Sequence, residues 1–305
     1  MSDNIIELRT EFSNEFRCIL YDDESTMNVV HDTGWFPNLV MLNGLDTVGN
    51  LSGFVTYGSI GTGTTPPVNT SPQMDSWLAS SSTSGVSNGV FTIVPAAPNY
   101  EYASIKSKRY NAGIGTGLIT EIGLGSEGDG TNLYNRQLIP TPFNKTANQI
   151  LDVLCQQTIW PPLGDTLADI TVAGIVYNTI TRGSLYLSTT YISPWGNMGI
   201  GGGGSHGYSG DISATVEGQP SGTFGTAVGT SWGVLPYTPG NHYIDFKLTY
   251  GLGNFNVGGI QAFKCSTNHC YYQTSFKDPL NADAPIPKTD IDIGDFTMRL
   301  SWAVH

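Results

Sequence analysis

Cys265, His269 and Cys270 place two thiols and an imidazole within six positions, and these are donor types that a divalent metal takes. A structural zinc needs a fourth ligand, and the Cys-x4-Cys spacing fits no common finger. A solvent-facing hairpin tip, carrying a disulfide formed after cell lysis, accounts for the same residues and is the preferred reading. Asp290, Asp292 and Asp295 beside Gly294, with Asp278 and Asp283 upstream, offer the oxygen ligands that calcium favours, but not at EF-hand spacing. The preferred reading sets Asp290 and Asp292 on the polar face leading into the last strand, ahead of calcium.

Gly201, Gly202, Gly203 and Gly204 invite a phosphate cradle, yet no Gly-Lys-Ser/Thr follows them. Gly61-Thr62-Gly63 reads as a turn, because Pro66-Pro67 stands where a nucleotide-binding helix would begin. With 25 acidic residues, carboxylate pairs arise by chance, and sequence does not give the separation that glycoside hydrolysis requires. His31, His206, His242, His269 and His305 fall in no Ser-His-Asp arrangement. Trp195, Tyr208, Trp232 and Tyr237 flank the glycine-rich stretch and either stack on sugars or fill a core. No catalytic residue and no cofactor is assigned, and the expectation is a protein that is not an enzyme.

Charged residues make up 12% of the 305, while 38 Gly and 17 Pro accompany many Thr, Ser, Asn and Tyr, which favours short strands joined by tight turns. The net charge of -12 with 13 Lys+Arg leaves no basic footprint for nucleic acid or an anionic membrane. The N-terminal residues lack the pattern of a secretory leader. No apolar run approaches the roughly 20 residues of a membrane helix. A chain made in the cytosol is expected, with Cys18 and Cys155 as small buried hydrophobes rather than disulfide partners.

Strands are read over residues 12–21, 27–30, 54–60, 90–94, 102–110, 118–124, 149–159, 170–176, 184–192, 243–250 and 296–304. In the last, Phe296, Met298, Leu300, Trp302 and Val304 share one face. Residues 5–20 are ambiguous, since Ile5, Leu8, Phe12, Phe16 and Ile19 recur at helical spacing while Phe16, Cys18 and Leu20 alternate. The turn chemistry of Asp22-Asp23-Glu24-Ser25 decides for a hairpin. Pro37 opens a helix through Leu39, Leu42, Leu45 and Val48, and Ser71-Pro72 opens a second with Met74, Trp77 and Leu78 buried. The fold class is therefore all-β, mainly antiparallel and sandwich or jelly-roll-like, with two or so short helices. Trp160-Pro161-Pro162 separates an N-terminal part, 1–160, from a C-terminal part, 161–305, although one domain with a corner would read the same. Residues 194–240 are too poor in large apolar side chains to order themselves. They are read as a mobile loop or an arm ordered by a neighbouring subunit, with Gly201 to Gly204, Tyr208 and Trp232 as interface candidates.

Asn38-Leu39-Val40, Gly44-Leu45-Asp46, the strand ending Gly61-Thr62-Gly63, then Pro66-Pro67 and Leu78 together resemble the N-terminal region of tailed-bacteriophage virion proteins of the tail-fibre, collar and baseplate type. Ile119-Thr120-Glu121-Ile122-Gly123-Leu124 is similar to a strand of those proteins, as is Arg136 within Asn135-Arg136-Gln137-Leu138-Ile139. The Lys145-Thr146 pair and the closing Leu300-Ser301-Trp302 continue the likeness, which covers about half the chain. The resemblance implies a structural virion part, assembled in the host cytoplasm as a symmetric homo-oligomer, whose partners are itself and other virion proteins. It implies no catalytic residues. The alternatives are a capsid decoration protein, a fibre module binding host surface glycan, and an enzyme degrading polysaccharide.

Overall fold

The computed structural model describes the chain except for residues 1–4, 50–53, 90, 95–100, 185–194, 196–199, 227–230, 235, 251–258, 281–283, 288–293 and 305. Strands take 56% of the chain and helix 3%, so the fold is all-β. The chain divides into two compact units. One comprises Phe12–Ile93, Tyr102–Ile159 and Val304–His305, the other Met1–Glu11, Val94–Glu101 and Trp160–Ala303.

The first strand, β1 (Ile5–Tyr21), runs for 17 residues and buries alternate positions throughout. Leu8, Phe12, Phe16 and Leu20 are spaced by four, which is one helical turn and also two strand periods, so the spacing alone decides nothing. Thr10 and Asn14 are buried on the same face, and these polar positions hide the period. β2 (Val29–Asp32) returns antiparallel with Ile19 opposite Asp32, the hairpin read from the sequence. Its turn is held by the Asp22 carboxylate, which accepts from the amides of Asp23 and Asn28, the Thr26 hydroxyl and the Asn28 side chain.

β3 (Phe36–Pro37) pairs with β1 and β4 (Leu39–Val40) with the later β10, so the helix expected from Pro37 starts only at Leu42. The amides of Asn38 and Met41 donate to the carbonyls of Asn14 and Tyr134, and a backbone committed to strand partners cannot also turn into a helix. The helix that forms, α1 (Leu42–Gly49), buries Gly44, Leu45 and Val48, while Leu42 is 39% exposed. A Cβ on Gly44 would stand 2.2 Å from the Tyr134 carbonyl oxygen, so α1 rests directly on backbone. The second expected helix, over residues 71–78, is absent. Met74 N and Leu133 N donate to the carbonyls of Gly130 and Pro72, which holds the segment extended against a neighbouring turn.

Beyond β5 (Tyr57–Gly61), β6 (Trp77–Ser81), β7 (Phe91–Val94), β8 (Glu101–Tyr110) and β9 (Gly117–Gly125) comes β10 (Leu133–Lys145), and then β11 (Ile150–Trp160). No strand was expected between residues 125 and 149, and β10 fills that gap. In this unit one sheet runs β4-β10-β9-β5-β6, and the other carries β1-β11-β8-β7. The two face each other in sandwich fashion. Tyr134 of the first sheet accepts from Asn14 Nδ2 at 3.0 Å and donates to Gln157 Oε1 at 2.9 Å, both in the second.

The other unit contains β12 (Thr166–Val172), β13 (Ile175–Ser184), β14 (Ile200–Tyr208), β15 (Phe224–Thr226), β16 (Ser231–Val234), β17 (Tyr243–Tyr250), β18 (Ala262–Thr267), β19 (Tyr271–Lys277) and β20 (Gly294–Val304). A six-stranded sheet runs β12-β13-β19-β18-β14-β15, and β16-β17-β20 continues to the start of β1. Phe263 and Phe276 of the six-stranded sheet lie 5.2 and 5.7 Å, ring centre to ring centre, from Phe296 of β20. Each such ring taken out of water contributes about 1.5–3 kcal/mol.

The sequence expectations for this unit meet several corrections. The strand read across residues 170–176 is two strands, joined by a turn at Ala173 (φ 50) and Gly174 (φ 83). Residues 194–240, expected as a mobile loop or arm, contribute β14, β15 and β16 among the described residues. On β20 the shared face holds for Phe296, Met298, Leu300 and Trp302, but Val304 is 45% exposed. The strand expected over residues 184–192 falls outside the described residues after Ser184.

Candidate functional site

The most elaborate polar construction in the structure starts from Glu121, a carboxylate in the middle of the apolar run of β9 and 0% exposed. Its partner is Arg136 on the adjacent strand β10, 3% exposed, where register sets Glu121 opposite Leu138 and Arg136 opposite Gly123. Arg136 Nε and Nη2 lie 2.8 and 2.7 Å from Glu121 Oε2. The other bonds to Glu121 come from a loop. Oε1 accepts from the amides of Gly63 (3.1 Å) and Ser76 (2.7 Å), and Oε2 from the amide of Asp75 (3.1 Å).

That loop, residues 62–76, joins β5 to β6 and stands over the ion pair. Arg136 Nη2 also donates to the Thr65 carbonyl at 3.0 Å, and the Thr120 hydroxyl donates to the Gly63 carbonyl at 2.5 Å. Within the loop the Asp75 carboxylate accepts from the amides of Thr64 and Thr65, both at 3.0 Å. These bonds, from the Thr65 amide and hydroxyl first, hold Asp75 below the usual carboxylate range. A Cβ on Gly63 would stand 2.4 Å from Glu121 Oε1, so only glycine lets the backbone come down onto the carboxylate.

Glu121 has both oxygens committed to protein donors, and such a carboxylate positions backbone rather than abstracting protons. The outer surface of the loop is chemically plain: Val68 is 56% exposed and Trp77, at its exit, 49%. The Trp77 indole donates to Ser80 Oγ at 2.9 Å, and a Cβ on Gly130 would stand 2.6 Å from the indole Cδ1, which fixes the ring against the 129–131 turn.

A second loop, residues 82–89, leaves the other end of β6 and is braced in the same way. Asp152, 0% exposed, accepts from Arg109 Nε and Nη2 at 2.8 Å each and from the Val86 amide at 3.2 Å. The Ser107 hydroxyl donates to the Val86 carbonyl at 2.7 Å, and the Ser107 amide to Asn88 Oδ1 at 3.1 Å. The hydrogen-bonded Asp152 raises the Arg109 pKa above its ordinary value.

The metal and interface candidates singled out from the sequence belong to the other unit. Cys265 lies on β18, and His269 and Cys270 lie in the turn to β19. The three are 1%, 0% and 0% exposed, so the hairpin exists but is not a solvent-facing tip. The turn is closed by Thr267, whose hydroxyl donates to the Cys270 carbonyl and accepts from the amides of His269 and Cys270. Among the described residues no three His, Cys, Asp or Glu side chains form a metal site. Cys18, Cys155, Cys265 and Cys270 are all free and buried. Burial drives the Cys270 thiol well above its ordinary pKa and the Cys155 thiol to about 12, which keeps both protonated at neutral pH.

Gly201 to Gly204 lie on β14, and Tyr208 ends that strand with 6% exposure. Trp232 lies on β16 opposite Leu248 of β17. The interface candidates therefore sit on strands paired within the chain, and Tyr208 is buried. Asp283, Asp290 and Asp292 fall outside the described residues. Asp278 accepts from the Leu280 amide, and Asp295 enters β20 opposite Thr249.

Glu121 and Arg136 were quoted from the sequence only as parts of motifs. The usable signal was a charged residue amid Ile119, Ile122 and Leu124, because a strand buried on both faces admits a charge only with a partner. Comparison with protein-family models, curated proteins and solved structures gives no match.

Proposed function

We propose that this chain is a structural component of a tailed-phage particle, placed in the tail, collar, baseplate or fibre attachment, working as a symmetric homo-oligomer that presents the loop of residues 62–77 as a docking edge. The observation that carries this reading is the buried Glu121–Arg136 couple, committed to holding that loop rather than to any chemistry. A surface loop fixed in advance loses little conformational entropy on docking. Symmetry then multiplies a modest contact into a stable assembly. The short motifs around Gly61-Thr62-Gly63, Glu121 and Arg136 supply the resemblance to virion proteins, and the loop with its brace is built from those motifs.

A second reading, binding of host surface glycan, is favoured by the half-exposed Trp77 ring with Asp75 two residues before it, an aromatic and a carboxylate of the kind that hold a sugar. A low-resolution map of the intact particle that locates this chain and counts its copies tests the first reading. A symmetric ring or collar position with residues 62–77 at a protein contact is expected. A glycan array on which binding disappears with Trp77→Ala would favour the second instead, and absence of the chain from the particle overturns the first.

A further inference from the structure

Residues 209–223 leave β14 at Tyr208 and re-enter β15 at Phe224, so they are the long loop of a single hairpin. The loop bends back over its own six-stranded sheet and is held there by polar contacts. Arg182 Nη1 donates to the carbonyls of Ser213 (3.0 Å) and Ala214 (3.1 Å), while its Nε and Nη2 grip Asp165 at 2.7 Å each. Gln273, 0% exposed, accepts from the Ser213 amide at 2.8 Å and donates to the Thr215 carbonyl at 3.1 Å. The Ser184 hydroxyl donates to the Gly218 carbonyl at 3.0 Å, and Lys277 pairs with Asp211 at 2.8 Å.

Two features make this strap separable from its sheet. Pro220 is its one buried apolar residue, with Ile212 and Val216 half-buried, so little apolar area is lost when it lifts. At its root two glycines pass each other: a Cβ on Gly222 (φ +82) would stand 2.8 Å from Gly210 N, and one on Gly210 2.8 Å from Ser221 O. Rotation at those two positions carries residues 211–221 as one body, because the Ser221 amide donates to the Asp211 carbonyl across its base.

We propose that the strap is exchanged between two copies of this chain, each laying its residues 211–221 over the β13–β19 face of the other. The occupant follows from the anchors. Arg182, Gln273 and Ser184 read carbonyls and an amide at fixed spacing on the strap backbone, and Gln273 spends both ends of its side-chain amide there. A vacated face recovers that whole pattern from an identical strap, with no new contact to evolve. The proposal rests on the homo-oligomer of the preceding section and names its exchanged element.

The Lys277–Asp211 pair provides the test, since the side chains are 37% and 40% exposed and a carbodiimide joins an amine and a carboxylate in contact with loss of water. Equal amounts of uniformly nitrogen-15-labelled and unlabelled chain are unfolded together, refolded, assembled and treated with the carbodiimide. Peptides linking residues 211 and 277 are then read by mass spectrometry. Exchange between two-fold-related copies predicts that about half of these links join one labelled to one unlabelled peptide. An oligomer whose 211–277 links are all within one isotope overturns the exchange while leaving the oligomer intact. A chain that remains monomeric at every concentration overturns both.

Discussion

Two residues define how the 62–76 loop is held, and they can be separated. Removing Glu121 leaves the Arg136 guanidinium buried and the amides of Gly63, Asp75 and Ser76 without their acceptor, the circumstance in which breaking a buried pair costs about 3–5 kcal/mol. Glu121→Ala is expected to lower the urea midpoint accordingly. Glu121→Gln keeps the shape and one acceptor oxygen and should lose less. Equal losses in the two variants would show that the charge, which both remove, rather than the packed shape, which only Ala removes, is what Glu121 contributes. The β1–β2 turn is a second residue-scale case. The Thr26 hydroxyl, then the Asn28 side chain, lower Asp22 from the ordinary 3.8 to about 2. A carboxylate depressed by folding stabilises the native state above its unfolded pKa and loses that contribution as pH falls through the folded value. The Asp22 carboxyl carbon shift should therefore keep its ionised value down to about pH 3 and titrate near 2, followed by carbon-13 NMR. A midpoint already near pH 4 would mean that these bonds do not form in solution.

At the level of elements, the turn between β12 and β13 shows backbone chemistry deciding strand ends. Ala173 has φ 50 and Gly174 φ 83, so an alanine occupies the left-handed region at a cost of roughly 1–2 kcal/mol. Ala173→Gly is expected to raise the melting temperature by a few degrees, and Gly174→Ala to lower it. Unchanged melting in both would show that this turn is not formed. The same turn explains why a strand was read straight through residues 170–176: Ala-Gly carries a weaker turn signal than Asn-Gly. Strands that alternate cleanly, such as β17 with Ile244, Phe246 and Leu248, were legible because one face is buried and the other is not. β18 and β19 are buried on both faces, so Lys264, Cys265 and Gln273 gave no period to read, and the Cys-His-Cys cluster looked like a tip. The 71–78 helix failed for a different reason. Ser71-Pro72 is a sound helix start locally, but the backbone partners at Gly130 and Leu133 are invisible until the chain is folded.

For the whole molecule, the glycine-rich stretch is where sequence composition misled most about structure while still pointing at a segment of interest. Poverty in large apolar residues suggests that residues 194–240 do not order themselves, yet β14 borrows order from β18, pairing Ser205 with Cys265 and Tyr208 with Ala262, and β15 pairs in turn with β14. What composition did mark is the polar strap between them. Cutting out residues 199–230 would strip two strands from the six-stranded sheet and report only on folding. The informative deletion replaces residues 211–221 with two glycines, which preserves the Tyr208–Phe224 pairing and removes the contacts to Arg182, Gln273 and Lys277. Exposing Gln273 and Arg182 in this way should cost about 1–3 kcal/mol. The variant is expected to keep its far-ultraviolet β signature, to unfold in one transition at a lower midpoint, and to elute as a monomer by light scattering where the intact chain is oligomeric. A variant that still assembles would locate the oligomer contact elsewhere, with the braced loop of residues 62–77 the next surface to disrupt, through Val68→Asp and Trp77→Asp.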